Sequence, residues 1–174
     1  ARLSLALSSG GQYNDVLVLE PTTSIWMYYT YNAPRPNRWR TMGEEFQAFI
    51  TALERHQVEF DLGSENILLN HGSVKGDRFV VGKRAYGTVV LPAQMENVDA
   101  ATFDLLERFA AKGGRIIAYG TPQYVDGARS AEAEAFFADP AKVTRADAGE
   151  PIDYSLFATP EIAFDVPEGN YLFH

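Results

Sequence analysis

Three short apolar runs, each ended by a proline or glycine turn, dominate the hydrophobic pattern of the chain. The first run is apolar up to its final acid, Glu20, and Pro21 follows it. The second ends at Pro92 and the third at Gly120. Continuous apolar runs of this length are typical of strands buried on both faces of a parallel sheet. The three predicted strands are Val16–Glu20, Tyr86–Pro92 and Arg115–Tyr119.

Apolar residues between these runs recur at helical spacing. Thr41 with Glu44 forms a capping-box pattern, which predicts a helix that begins at Thr41 and ends near His56. Asp99 is a candidate N-cap for another helix, and Gly113 marks its end. Further predicted elements are short helices over Ser24–Tyr31, Glu65–Asn70 and Ser130–Ala138, a strand over Val58–Leu62, and a hairpin of Val74–Lys75 against Arg78–Val81 at the sheet edge.

The order of these elements predicts an α/β fold. Strand, helix and strand alternate along the chain, which favours a three-layer, flavodoxin-like parallel sheet covered on both faces. We expect residues 1–142 to form this domain and residues 143–174 to form an extended segment that leads toward a missing β-rich domain. The chain ends within an apolar strand pattern, Asn170–His174, which is typical of a fragment cut from a larger protein.

The amino-acid composition excludes several classes of partner and of chemistry. The 174 residues carry a net charge of −8, and the only local basic cluster is Arg35, Arg38 and Arg40, so nucleic-acid binding is not expected. No apolar run approaches the roughly 18 residues that span a bilayer, so no membrane is expected as a partner. Cysteine is absent, which excludes disulfides, thiolate metal sites and a cysteine nucleophile.

The motifs of common active sites are also missing from the sequence. Neither a dinucleotide-binding nor a Walker glycine pattern follows a strand, and no serine stands on a strand-to-helix elbow. His56, His71 and His174 lack the spacing of metal ligands. Class I glutamine amidotransferases have this kind of sheet with a cysteine at a strand end, and that chemistry is excluded here. We therefore predict no catalytic residue, no metal and no cofactor, and interpret Asp61 and Glu65 as solvated side chains beside a turn.

Glu20 is the acid that stands out, because it ends a buried strand. Ligands of parallel sheets lie at the carboxyl ends of the strands. In one interpretation Glu20 accepts hydrogen bonds from the backbone amides of Thr22, Thr23 and Ser24, which is a structural role. In the other it points into a ligand groove shared with another domain.

An aromatic segment follows Glu20 and supplies the other candidate binding residues. Tryptophan, tyrosine and arginine dominate protein interfaces, and aromatic faces beside polar donors also suit sugar rings. Three alternatives stay open: an interdomain or subunit interface, a cover for the core, or direct contact with sugar. The candidate ligand-binding or interface residues are Glu20, Thr22, Thr23, Trp26, Tyr28, Tyr29 and Trp39.

Four segments together resemble the amidotransferase-like, flavodoxin-like domain embedded in large bacterial glycoside hydrolases. They are Asp15–Trp26, Phe60–Glu65, Tyr86–Pro92 and Phe109–Ile117. The likeness is greatest to the family-106 α-L-rhamnosidases, and the middle domain of family-42 β-galactosidases is similar in layout. It covers roughly residues 13–125 and continues more weakly to residue 174.

The resemblance implies a parent enzyme whose catalytic carboxylates lie on a separate barrel, so that no family catalytic residue falls on this chain. This domain would then be inactive alone and would brace the barrel or mediate oligomerisation, with the other domains of the same polypeptide as its partners. A polysaccharide-degrading parent favours a periplasmic or secreted location. The alternative from a different class is a stand-alone carbohydrate- or small-molecule-binding module.

Overall fold

The computed structural model describes residues 14–32, 37–147 and 152–157. The helices are α1 (Thr22–Trp26), α2 (Arg38–Arg55), α3 (Glu65–His71), α4 (Ala100–Ala111) and α5 (Ala131–Ala138), with a 3-10 turn at Tyr154–Leu156. The strands are β1 (Val16–Leu19), β2 (Phe60–Gly63), β3 (Gly72–Lys75), β4 (Arg78–Val81), β5 (Arg84–Tyr86), β6 (Thr88–Leu91), β7 (Asn97–Val98), β8 (Arg115–Ala118), β9 (Tyr124–Val125), β10 (Ala128–Arg129) and β11 (Thr144–Arg145).

Five parallel strands form the central sheet, in the order β11-β8-β6-β1-β2. Numbered along the chain, this is the 2-1-3-4-5 order of flavodoxin-like folds. The predicted α/β fold class is therefore confirmed. β11 is a strand that the sequence pattern did not predict, and it extends the sheet past residue 142, where we expected the α/β domain to end.

Alternating side chains on the central strands supply two cores, one on each face. Leu17, Leu19, Val89 and Leu91 pack with α4, α5 and the smaller sheets. On the other face Val16, Val18, Val90 and Ile117 pack with α2 and with Ile152 and Phe157. This alternation explains why the strands are apolar throughout, because both faces are covered.

Several predicted boundaries were wrong. α2 begins at Arg38 because the Asn37 side chain accepts a 3.2 Å hydrogen bond from the Arg40 amide, so Thr41 lies inside the helix. By contrast, the predicted start of α4 after Asp99 is confirmed, although the Asp126 carboxylate, and not the Asp99 side chain, accepts a 2.9 Å hydrogen bond from the Ala100 amide. The predicted helix over Ser24–Tyr31 is shorter and begins earlier, as α1.

The run Tyr86–Pro92 is two strands rather than one. Tyr86 ends β5, which pairs with β4, and Thr88 begins β6 in the central sheet. Gly87 joins them where a Cβ atom would lie 2.7 Å from the Asp15 carboxylate. The hairpin of β3 and β4 is confirmed, but with β5 it forms a separate three-stranded sheet instead of extending the edge of the central sheet. The strand pattern at Asn170–His174 lies outside the described residues.

Candidate functional site

The carboxyl ends of β1 and β6 meet at the point where the strand order reverses. Flavodoxin-like sheets open a crevice there, and ligands bind in it. In this chain the crevice is crossed by a side chain, because Ser24 on α1 is fully buried against the segment after β6. Its hydroxyl group accepts hydrogen bonds from the Glu96 amide at 3.0 Å and the Asn97 amide at 2.9 Å, and its O–H donates one to the Asn97 carbonyl at 3.1 Å.

A charged cluster lies beside Ser24. The Tyr28 hydroxyl and the Arg38 guanidinium both donate hydrogen bonds to the Glu96 carboxylate. The guanidinium carbon of Arg38 also lies 4.7 Å from the centre of the Tyr28 ring. The hydrogen bond to Glu96 is the main cause that raises the pKa of both Tyr28 and Arg38. These contacts tie α1 and the start of α2 to the loop after β6, so the chain closes its own switch point.

Glu20 lies at this edge but does not make the predicted contacts. Its side chain is half-buried, and its backbone amide donates a 3.0 Å hydrogen bond to the Gly63 carbonyl. Among the described residues, no amide of Thr22, Thr23 or Ser24 donates to its carboxylate. The hydrogen bonds of the first interpretation of Glu20 are therefore not formed, and the second interpretation, a role in a ligand groove, stays a prediction.

The buried acid of this region is Glu65, at the start of α3. It is only 3% exposed, accepts a 2.5 Å hydrogen bond from the Thr23 hydroxyl, and accepts a 2.7 Å hydrogen bond from the Asp99 amide. Burial is the main cause that raises the pKa of Glu65. Our interpretation of Glu65 as a solvated side chain was therefore wrong. It was also wrong for Asp61, whose carboxylate accepts hydrogen bonds from the Tyr86 hydroxyl at 2.8 Å and from Arg84 at 3.1 Å.

Two of the candidates, Trp26 and Tyr29, lie with Met27 and Tyr31 in one exposed segment, which we define as the aromatic patch. Trp26 is 70% exposed, Tyr29 59% and Tyr31 90%. Thr22 begins α1, which presents the first part of the patch. Large exposed apolar side chains this close together mark interaction surfaces more often than isolated ones do.

An apolar groove adjoins the aromatic patch between α1 and α2. The centroids of the Tyr29 and Trp39 rings lie 5.5 Å apart. The guanidinium carbon of Arg40 lies 5.2 Å from the centroid of the Trp39 ring. The groove has a volume of about 540 Å³ and is lined by Ile25, Trp39, Arg40, Gly43, Glu44 and Gln47. The Trp39 indole N–H is buried and has no acceptor among the described residues.

Two further cavities lie at the carboxyl ends of β6 and β8. One has a volume of about 450 Å³ and a polar lining that includes Glu96, Thr121, Tyr124 and Arg145. The other, of about 380 Å³, lies between α2, the residues after β6 and Ile152. Ala93 and Tyr119 line both. Sequence reasoning missed this region, although the rule on strand ends applies to Pro92 and Tyr119 as much as to Glu20.

No cluster of three or more metal-ligating side chains occurs in residues 14–32, 37–147 and 152–157. Within the same ranges, no helix combines the length and the apolar character needed to cross a bilayer. Comparison with protein-family models, curated proteins and solved structures found no match to this chain. The resemblance to glycoside-hydrolase domains therefore stays a prediction.

Proposed function

We propose that this chain is a non-catalytic accessory domain of a carbohydrate-active enzyme and docks onto another domain of the same polypeptide. The docking surface is the aromatic patch with its apolar groove. The observation that carries the proposal is the exposure of Trp26, Met27, Tyr29 and Tyr31 within one short segment. Tryptophan, tyrosine and methionine are enriched in the cores of protein interfaces, where burying them releases water from apolar surface.

The groove supports a protein partner in particular. Its walls are mostly apolar, which suits an inserted aliphatic or aromatic side chain. The buried Trp39 N–H would gain a hydrogen-bond acceptor from a partner carbonyl, and leaving such a donor unpaired costs about 1–3 kcal/mol. Arg38 and Arg40 border the surface and add polar groups to its rim, and arginine is enriched at protein interfaces. The carbohydrate-active parent rests on the resemblance of the four sequence segments.

The docking is tested in the full-length polypeptide with the combined variant Trp26→Ser, Tyr29→Ser and Tyr31→Ser. These side chains are exposed, so the isolated domain should keep its melting temperature. In the full-length protein the domain should detach, and limited proteolysis should cut its flanking segments faster. The matched control is Leu62→Ser, Ile67→Ser and Leu69→Ser, which removes three other exposed apolar side chains. Equal proteolysis of the two variants would contradict the proposal.

The accessory role has its own test. The isolated chain should show no turnover of aryl glycosides at any pH, while the full-length polypeptide hydrolyses at least one. Hydrolysis by the purified chain, retained through a second purification step, would overturn the non-catalytic part. The alternative is that a second copy of the chain, and not another domain, docks on the aromatic patch. Analytical ultracentrifugation of the chain tests this alternative, because a dimer that the serine variant abolishes would place the patch between identical subunits.

A second candidate function is direct sugar binding at the aromatic patch, which the open face of Trp26 favours. The chain has two tryptophans, Trp26 and Trp39, and both lie at this surface. A saturable change of tryptophan fluorescence during a sugar titration, lost in Trp26→Ser, would favour sugar binding over docking.

A further inference from the structure

We propose that the cavity beneath Tyr119 binds one ring of a neutral, polyhydroxylated compound such as a monosaccharide unit. This site is separate from the aromatic patch and rests on different observations. It is lined by Glu45, Phe49, Ala93, Gln94, Tyr119 and Ile152, and its volume is about 380 Å³. Small-molecule sites commonly have volumes of roughly 300–1,000 Å³, with apolar walls and a few convergent polar groups.

Two polar atoms of the lining are buried without a partner. The Tyr119 side chain is only 5% exposed, and neither its hydroxyl nor the Oε1 atom of Gln94 has a hydrogen-bond partner in the described part of the chain. Buried polar groups in native proteins are nearly always paired, so each unpaired group calls for a missing partner. Both residues line the same cavity, and we infer that a ligand bound there supplies both partners.

The orientation of Gln94 specifies what the ligand must offer. Its Nε2 atom donates a 3.3 Å hydrogen bond to the Glu45 carboxylate, which leaves Oε1 as the free acceptor. Gln94 therefore needs a donor, and the Tyr119 hydroxyl can either donate or accept. An alcohol group meets both requirements, because a hydroxyl donates one hydrogen bond and accepts others.

Charge in the surroundings excludes anions from this cavity. Glu45 lines it, and Asp153 is close enough to act on Tyr119 electrostatically. Burial, with a smaller contribution from Asp153, raises the pKa of Tyr119 to about 12, so the phenol stays neutral at working pH. Among the described residues that line this cavity, a carboxylate or phosphate would meet the acid Glu45 and no basic side chain, whereas a neutral ligand avoids that repulsion.

The walls suit the C–H face of a sugar ring. The Phe49 and Tyr119 rings pack edge to face with centroids 5.0 Å apart, and Ala93 and Ile152 complete an apolar surface. The adjoining polar cavity shares Ala93 and Tyr119 and leads toward Thr121 and Arg145, so it offers room for a substituent on the ring. Position agrees with chemistry, because ligands of parallel sheets lie beyond the carboxyl ends of the strands.

The test titrates the chain with methyl α-D-glucopyranoside, methyl β-D-galactopyranoside and methyl α-L-rhamnopyranoside, using NMR chemical shifts of the protein as the readout. At least one glycoside should saturate in the millimolar range with shifts at Ala93, Gln94 and Tyr119. Tyr119→Phe keeps the ring and should weaken that binding by roughly three- to tenfold, the share of one neutral hydrogen bond. The control Tyr31→Phe should bind like the wild-type chain.

The unliganded stability of Tyr119→Phe provides a second readout. If the hydroxyl awaits a ligand, its removal should leave the melting temperature unchanged or raise it. Unchanged glycoside affinity in Tyr119→Phe, a lowered melting temperature with no binding, or no saturable shift with any glycoside would each overturn the inference. Because the serine variant of the aromatic patch should bind these glycosides normally, failure of the docking proposal and failure of this one are distinguishable.

Discussion

Glu65 is an acidic residue buried in the interior of the domain. Among the described residues it is the one buried carboxylate. Its hydrogen bonds connect its own helix, α3, to Thr23 on α1 and to Asp99, which precedes α4. Burial of a charge is costly unless hydrogen bonds compensate for it. Two such bonds hold Glu65 in place, yet the pKa of the carboxyl is still raised above its ordinary value of 4.5.

The raised pKa predicts a pH dependence of folding. The native state binds the Glu65 proton more tightly than the unfolded chain, so this residue contributes stability at low pH. That contribution is lost as pH rises from about 4.5 to the raised native pKa. Glu65→Gln removes the titration and keeps the shape, so its stability relative to the wild-type chain should increase across this window. Urea unfolding at several pH values measures this difference.

Glu65→Ala is the contrasting variant. It leaves the Asp99 amide unpaired and should destabilise the fold by about 1–3 kcal/mol at low pH, with a smaller deficit relative to the wild-type chain as pH rises, because it also removes the titration. A constant difference between Glu65→Gln and the wild-type chain from pH about 4 to pH about 8 would contradict the assigned pKa shift.

Ser24 makes a second residue-scale prediction. Its hydroxyl oxygen accepts from two backbone amides, so Ser24→Ala should leave the Glu96 and Asn97 amides unpaired and cost about 2–4 kcal/mol, near the sum of two lost partners. Thr22→Ala on the same helix is the control and should change stability by less than about 0.5 kcal/mol. Thermal unfolding measures both, and equal effects would contradict the role of the Ser24 hydroxyl.

Residue roles at this scale were the hardest to predict from sequence. Glu20 was favoured because it stands next to a strand, whereas the buried acid is Glu65, whose partners lie 42 and 34 positions away. Nothing in the local pattern around Glu65 indicates that Thr23 and Asp99 will meet it. Tyr119 and Gln94 escaped notice for the same reason, because burial and pairing depend on neighbours that are distant in sequence.

At the scale of the element, helix α2 contains a glycine whose replacement should stabilise the fold. Gly43 lies inside the helix, and a Cβ atom there would meet nothing within 4 Å. Glycine in a helix interior costs conformational entropy, so Gly43→Ala should stabilise the domain by about 0.5–1 kcal/mol. Urea unfolding measures the gain. The contrasting variant is Gly114→Ala, in which the new Cβ would overlap the buried Phe109 ring and should destabilise the fold by about 1–3 kcal/mol.

The existence of most elements was predictable, whereas their ends were not. The apolar faces of α2 and α4 were visible as periodic patterns, and both helices were confirmed. The start of α2 depends on Asn37, which competed with a good capping box at Thr41. β11 is too short for a sequence pattern, and it forms because β8 offers a free edge to Thr144 and Arg145.

At the scale of the whole molecule, the segment after β11 completes the second core. Ile152 and Phe157 are buried against the face that carries Val18 and Ile117, and Tyr154 stacks on His56 with ring centroids 3.5 Å apart. The sheet and its cover thus continue beyond residue 142. The predicted division into residues 1–142 and 143–174 makes a testable claim about independent folding.

A chain truncated after residue 142 should be much less stable than one ending at residue 157. It loses β11 and three buried side chains, Val143, Ile152 and Phe157, each worth about 1.5–3 kcal/mol when fully buried. Circular dichroism during thermal unfolding compares the two chains. Equal melting temperatures would show that residues 143–157 do not belong to the folded unit.

The chain by itself determined the class of the fold and the identity of its main strands and helices. Those follow from short-range periodicity, because a strand or helix that packs on a core must repeat its apolar residues at its own period. Tertiary structure decided what the strand ends carry: a switch point closed by Ser24 and Glu96, a buried Glu65, and a cavity beneath Tyr119. Those features depend on contacts between distant segments, and whether a polar group is buried, paired or left for a ligand is settled only when these segments meet.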